Sequence, residues 1–159
     1  MYSTDKKNVV FYSWHILPYY INPSVFIGKE GVHLKRITKS SGSEYIWFNS
    51  KRKYFEIYGS NQASIHRAHQ NINGRITALS NKFFSIKTEF LTYFNETYSY
   101  SSLSHEEITD IYFDWFHSNK YILPSTAETK NIIEMLVKAS PKQLTTKESF
   151  VSDLNDDFA

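Results

Sequence analysis

Cysteine is absent from the 159 residues, which excludes disulfides and any zinc site built on thiolates. Glycine and proline are scarce, at five and four, so each one punctuates the chain. No apolar stretch approaches the roughly 20 residues that a membrane helix needs. The run from Asn8 to Ile21 follows Lys6 and Lys7, as the apolar part of a signal peptide would. It carries Trp14, His15, Pro18 and three tyrosines, however, and no small-residue cleavage site follows it. A buried strand is the better reading. An intracellular protein, nuclear or cytoplasmic, without a membrane partner is expected.

Signatures of catalysis are missing as well. The histidines stand at positions 15, 33, 66, 69, 105 and 117, and none has Thr or Ser two residues later. His105-Glu106-Glu107 lacks the second histidine of a zinc-protease helix. No phosphate loop, nucleotide-binding fingerprint or nucleophile elbow is present. His66 and His69 lie one helical turn apart, but without a clustered carboxylate or cysteine they make a poor metal site. The expectation is a non-enzymatic protein without cofactor or metal.

What the chain has is aromatic residues, 17% of the total, within an apolar fraction of 41% that suffices for a core. Its net charge of +2 conceals a division. Residues 1–80 hold 11 Lys/Arg against 4 acids, whereas residues 81–159 hold 7 against 12. A polyanion would therefore meet the first half.

Val9–Leu17, rich in β-branched and aromatic residues and ended by Pro18, predicts a strand. Asn22-Pro23 opens a short helix, interrupted by Gly28 and Gly31. Val32, Leu34 and Ile37 mark a second helix that ends at Ser40-Ser41-Gly42. Glu44–Phe48 and Tyr54–Tyr58 read as strands around the basic turn Asn49-Ser50-Lys51-Arg52-Lys53. Beyond Asn61, the three- and four-residue spacing of Ile65, Ala68, Ile72, Ile76 and Leu79 gives a long helix one buried face. Phe83–Phe94 fits either a strand or an aromatic helix. Ser104 starts another helix with apolar positions Ile108, Ile111, Tyr112 and Trp115, and Ala127–Ala139 forms a further element. The tail from 145 to 159 is polar and acidic, with a mobile end.

The most informative segment is Ile27-Gly28-Lys29-Glu30-Gly31, followed by Leu34-Lys35-Arg36-Ile37. Two glycines around two polar residues, between two short helices, let a sugar–phosphate chain come close. Amides at the start of the second helix favour negative charge there. Together with the strand–helix–helix–strand–strand–helix order, Ser41-Gly42 and Ile57-x-Gly59, this loop resembles the K-homology (KH) family across residues 8–80, in its eukaryotic-type (type I) arrangement. The resemblance implies an α+β fold, with a three-stranded antiparallel sheet on three helices and a mixed, mainly helical segment after it. It also implies a groove for about four unpaired bases of single-stranded RNA, or of single-stranded DNA. Mapped onto this chain, Gly28, Lys29 and Gly31 hold the phosphates, with Glu30 in the same loop and Ile27, Lys35 and Ile46 along the groove. Lys51, Arg52 and Lys53 form its variable turn. Either Ile46 and Phe48 or Tyr45 and Trp47 face the groove. Glu30 departs from the more frequent small or basic residue and weakens phosphate attraction.

The second half, 81–144, is acidic and aromatic-rich, and suits a protein partner. Lys82–Ile86, Tyr121–Ser125 and Glu134–Ser140 resemble pieces of the two-histidine phosphoesterase domain that follows a KH domain in activating-signal-cointegrator-type proteins, the first as a strand. That resemblance implies a partial domain without its histidine motifs. An alternative to nucleic-acid binding is a KH-like scaffold that holds protein partners through this half.

Overall fold

The computed structural model describes residues 10–99 and 101–139. Expectations for Lys6, Lys7, Val9, Ser140 and the acidic tail at 145–159 fall outside these residues. The elements are β1 (Phe11–Ile16), α1 (Pro23–Ile27), a 3-10 turn (Lys29–Gly31), α2 (Val32–Ser41), β2 (Tyr45–Asn49), β3 (Tyr54–Gly59), α3 (Gln62–Tyr98), α4 (His105–Ser118) and α5 (Thr126–Ala139). The fold is α+β, and the chain divides into two compact units, Met1–Phe83 and Phe84–Ala159.

In the first unit the sheet has the order β1-β3-β2 and is antiparallel throughout. Side chains alternate between its faces. Ser13 and His15 of β1, Phe55 and Ile57 of β3, and Ile46 and Phe48 of β2 share the face that meets the helices. Phe55 and Ile57 are fully buried there, with Phe26 of α1, Ile37 of α2, and Ala68, Ile72 and Ile76 of α3. Burying one side chain of the size of Phe26 or Phe55 stabilises the fold by about 1.5–3 kcal/mol. The rings of Phe26 and Phe55 lie 4.6 Å apart, so the short α1 is anchored on the central strand.

The opposite face carries Tyr12, Trp14 and Ile16 of β1, Tyr54, Glu56 and Tyr58 of β3, and Tyr45, Trp47 and Asn49 of β2. A solvated sheet face is ordinarily polar. This one is mostly aromatic.

Asn61 starts α3 by accepting the Ser64 amide at 2.8 Å, and the helix then continues past the expected stop. The strand-like reading of Lys82–Ile86 is overturned, because these residues lie inside α3. Ile76, Leu79, Phe83, Ile86, Phe90 and Phe94 keep the three- and four-residue spacing, and nothing in the sequence from Asn81 onward breaks the helix.

In the second unit the last part of α3 meets α4 and α5. Phe90 is fully buried, with the rings of Tyr112 and Trp115 each 5.2 Å away. Ile108, Phe116, Ile132 and Leu136 complete this core. The Ser104 hydroxyl accepts the Glu107 amide while the Glu107 carboxylate accepts the Ser104 amide, a capping box that fixes the start of α4. Lys87 pairs with the nearly buried Glu128 at 3.1 Å. Burial pushes the Tyr112 hydroxyl up to about 12. No helix among the described residues is long and apolar enough to cross a membrane.

Candidate nucleic-acid interface

The glycine loop is built from both sides. Asn22 caps α1 by accepting the Ser24 amide at 3.0 Å, with Pro23 in the first turn. The helix closes at Gly28, whose amide donates to the Ser24 carbonyl at 2.9 Å. Gly28 then takes φ +83 and ψ 167, a region open almost only to glycine. A Cβ on Gly28 would run into the ring of His33. Gly31 stands at the N-cap of α2 with φ +74, and a Cβ there meets only Lys35 at 3.8 Å. The two glycines therefore differ: the first is required by backbone and space, the second by backbone alone.

Glu30 between them has φ +57 and ψ 23. An L-residue in this left-handed region costs about 1–2 kcal/mol. Lys29 and Glu30 are both exposed, and their side chains project from the tip.

Arg75 of α3 holds the base of the loop. Its guanidinium donates to the carbonyls of Phe26 and Val25, each at 2.8 Å, and lies 5.3 Å from the centre of the Phe26 ring. Partial burial, then Arg36, lowers its pKa below the ordinary arginine value. No motif in the sequence singles out Arg75. Its spacing from Ala68, Ile72 and Ile76 places it beside the buried face of α3, which is the signal that was available.

The second basic element is the β2–β3 turn. Asn49 Oδ1 accepts the amides of Lys51 and Arg52 at 3.1 and 3.0 Å, and the Asn49 carbonyl accepts the Lys53 amide at 2.7 Å. Asparagine at such a position sets the turn by itself. Lys51, Arg52 and Lys53 are all exposed.

The start of α3 lies against the end of β3, where a Cβ on Gly59 would meet Ser64, and against Ser43 just before β2. Arg67 and then Arg75 of the same helix hold the end of α2 and the residues before Gly28, so α2 and β2 run in opposite directions beside α3. Ten helical residues rise about 15 Å, and five strand residues about 16 Å. The start of α2 and the end of β2 thus lie toward the same end of the unit. Gly28–Gly31 belongs to the first and Lys51–Lys53 to the second. Lys35 is exposed on α2, and Ile27 is half-buried against the core. Ile46 is only 5% exposed and sits within the core, while Phe48 on the same face is half-buried. Tyr45 and Trp47 point to the other side of the sheet.

Among the described residues no hydrogen bond links His66 to His69. His69 is engaged by β1 instead: Ser13 Oγ lies 2.8 Å from its Nε2, and His15 Nδ1 lies 2.8 Å from its Nδ1. One of the two facing Nδ1 atoms must carry the proton and the other accept it. Burial first, then the charge of His69, lowers the pKa of His15. Burial and His66 do the same for His69. This contact across 54 residues has no local sequence signal. Among the described residues no group of three metal-ligating side chains comes together.

No known protein family, curated protein or solved structure matches this chain.

Proposed function

We propose that the first unit binds single-stranded nucleic acid, RNA in particular, along a path from the Gly28–Gly31 loop to the Lys51–Lys53 turn. The observation that carries this reading is the backbone of the glycine loop. Gly28 and Gly31 both take positive φ, and a Cβ at Gly31 would meet only Lys35, at 3.8 Å, so the loop leaves room there for a sugar–phosphate chain. Lys29 supplies a cation at that tip, and Lys51, Arg52 and Lys53 supply three more toward the same end of the unit. The half-buried Ile27 and Phe48 offer apolar surface for bases between them. The resemblance of residues 8–80 to KH domains points to the same ligand. The function is binding, without catalysis.

The test is equilibrium binding of a labelled single-stranded RNA at several salt concentrations. Affinity should fall with salt, as counterions are displaced from the strand by lysine and arginine. A Lys51→Ala/Arg52→Ala variant should bind more weakly and with a flatter salt dependence. Unchanged affinity and an unchanged slope in that variant would remove the turn from the interface.

A further inference from the structure

The outer face of the sheet is a second candidate site. Its centre is Glu56, flanked across the strands by Trp14 on β1 and Trp47 on β2. Tyr12 and Tyr58 form the neighbouring row, their ring centres 5.0 Å apart, and Tyr54 lies 6.2 Å from Trp14 on the other side. Trp14 is 55% exposed and Trp47 39%, while Glu56 is only 9% exposed beneath them.

Glu56 accepts the Asn49 amide hydrogen at 2.8 Å and the Tyr58 hydroxyl at 2.9 Å. The bond from Asn49, opposed by desolvation and joined by Tyr58, Tyr12 and Trp47, holds its carboxyl below the usual range. All of these donors are neutral. Among the described residues no Lys, Arg or His forms an ion pair with it. A negative charge thus lies under a sheet of aromatic rings whose faces are themselves electron-rich, with no cation paired to it among the described residues.

We propose that this face receives arginine side chains from an extended basic segment of a partner protein. A guanidinium stacks on tryptophan and tyrosine rings and gives up hydration more readily than an ammonium does. The carboxylate of Glu56 already accepts from Asn49 and Tyr58 and lies beneath the rings, so a suitable cation gains chiefly from stacking and from the field of the carboxylate. This favours arginine over lysine. Two other occupants fit less well. A nucleic acid would bring phosphates toward Glu56, and the nine side chains of the face include no lysine or arginine. A second copy laid face to face would bury two unpaired carboxylates.

The experiment uses the full chain and a labelled, end-blocked peptide of alternating glycine and arginine, read by fluorescence anisotropy. Saturable binding is expected, at least about threefold tighter than that of the matching lysine peptide. Glu56→Gln should weaken it at least about fivefold. Trp14→Leu, at an exposed position that leaves the core intact, should do the same should Glu56→Gln unfold. The Lys29→Asp/Glu30→Asp variant should bind the peptide as the wild type does, which separates this face from the glycine loop. Absence of saturable binding, equal affinity for the lysine peptide, or wild-type affinity in both face variants overturns the proposal. So does an oligouridylate that binds more weakly to Trp14→Leu but normally to the loop variant, since the face would then be a base-stacking surface.

Discussion

Arg75 reaches from the middle of α3 to the carbonyl of Phe26 at 2.8 Å. That bond ties the long helix to the last turn before the glycine loop. With its twin to Val25, it satisfies two carbonyls that the end of α1 would otherwise leave without a helical partner.

Replacing Arg75 with Met keeps the apolar stem and removes both bonds. Hydrogen bonds from a charged donor contribute about 1.5–3 kcal/mol each, so losing both should lower stability to urea by at least about 3 kcal/mol. RNA affinity should fall as well, because the loop loses its base. A variant of unchanged stability would mean that the guanidinium contributes little to holding the loop.

The loop glycines should respond unequally. Gly28→Ala faces both a forbidden backbone region and the His33 ring, and should cost at least about 2 kcal/mol by thermal or urea melting. Glu30→Asn should raise stability by about 1 kcal/mol, since asparagine tolerates the left-handed region that Glu30 occupies. Equal losses at Gly28 and Gly31, or a destabilised Glu30→Asn, would contradict this backbone geometry.

Much of the first unit was legible from the sequence, and the reasons are local. Asn22-Pro23 and Asn61 act through their own neighbours, so the starts of α1 and α3 were readable, as was that of α4 at Ser104 in the second unit. The spacing of Ile65 to Leu79 foretold a buried face because period alone decides it. The continuation of α3 through Phe83 was harder to see, since aromatic runs suit strand and helix equally. Contacts between distant residues left no trace: His15 with His69, Arg75 with Phe26, and the three strands that gather tyrosines and tryptophans around Glu56. Of the candidate interface residues, Lys29 and Lys51–Lys53 are exposed, as a ligand contact requires, whereas the register of β2 puts Ile46 in the core.

The His15–His69 contact makes stability depend on pH. Both imidazoles have folded pKa values below the ordinary value near 6.5, so the unfolded chain takes up protons first. Stability from this pair is therefore full above about pH 6.5 and declines as pH falls below it. His33, lowered by burial and then by Arg75 and Arg36, adds to the same trend. Urea midpoints measured from pH 7.5 to 5.5 should decrease in the wild type and decrease less in His69→Gln. Parallel curves for the two proteins would show that the pair is not the cause.

The first unit should fold without the second when the cut respects α3. Tyr20 bonds Ser80 at 2.9 Å, and its ring stacks on Phe83 at 5.7 Å. A chain ending at Ser85 should unfold in one cooperative transition. Ending at Asn81 removes the Phe83 ring and should cost about 1 kcal/mol. A Ser85 truncation that binds a hydrophobic dye and shows no transition would mean that the second unit completes the core.

The central claim is that Gly28–Gly31 makes the nucleic-acid contact, and a Lys29→Asp/Glu30→Asp double variant tests it most directly. Both positions are exposed, and aspartate accepts the backbone of residue 30 at least as well as glutamate does. Stability should therefore fall no more than about 0.5 kcal/mol below the wild type. The new negative charge stands where phosphates would sit, so single-stranded RNA should bind at least about tenfold more weakly, a loss of roughly 1.4 kcal/mol. A double variant that folds normally and binds RNA as tightly as the wild type would contradict the account.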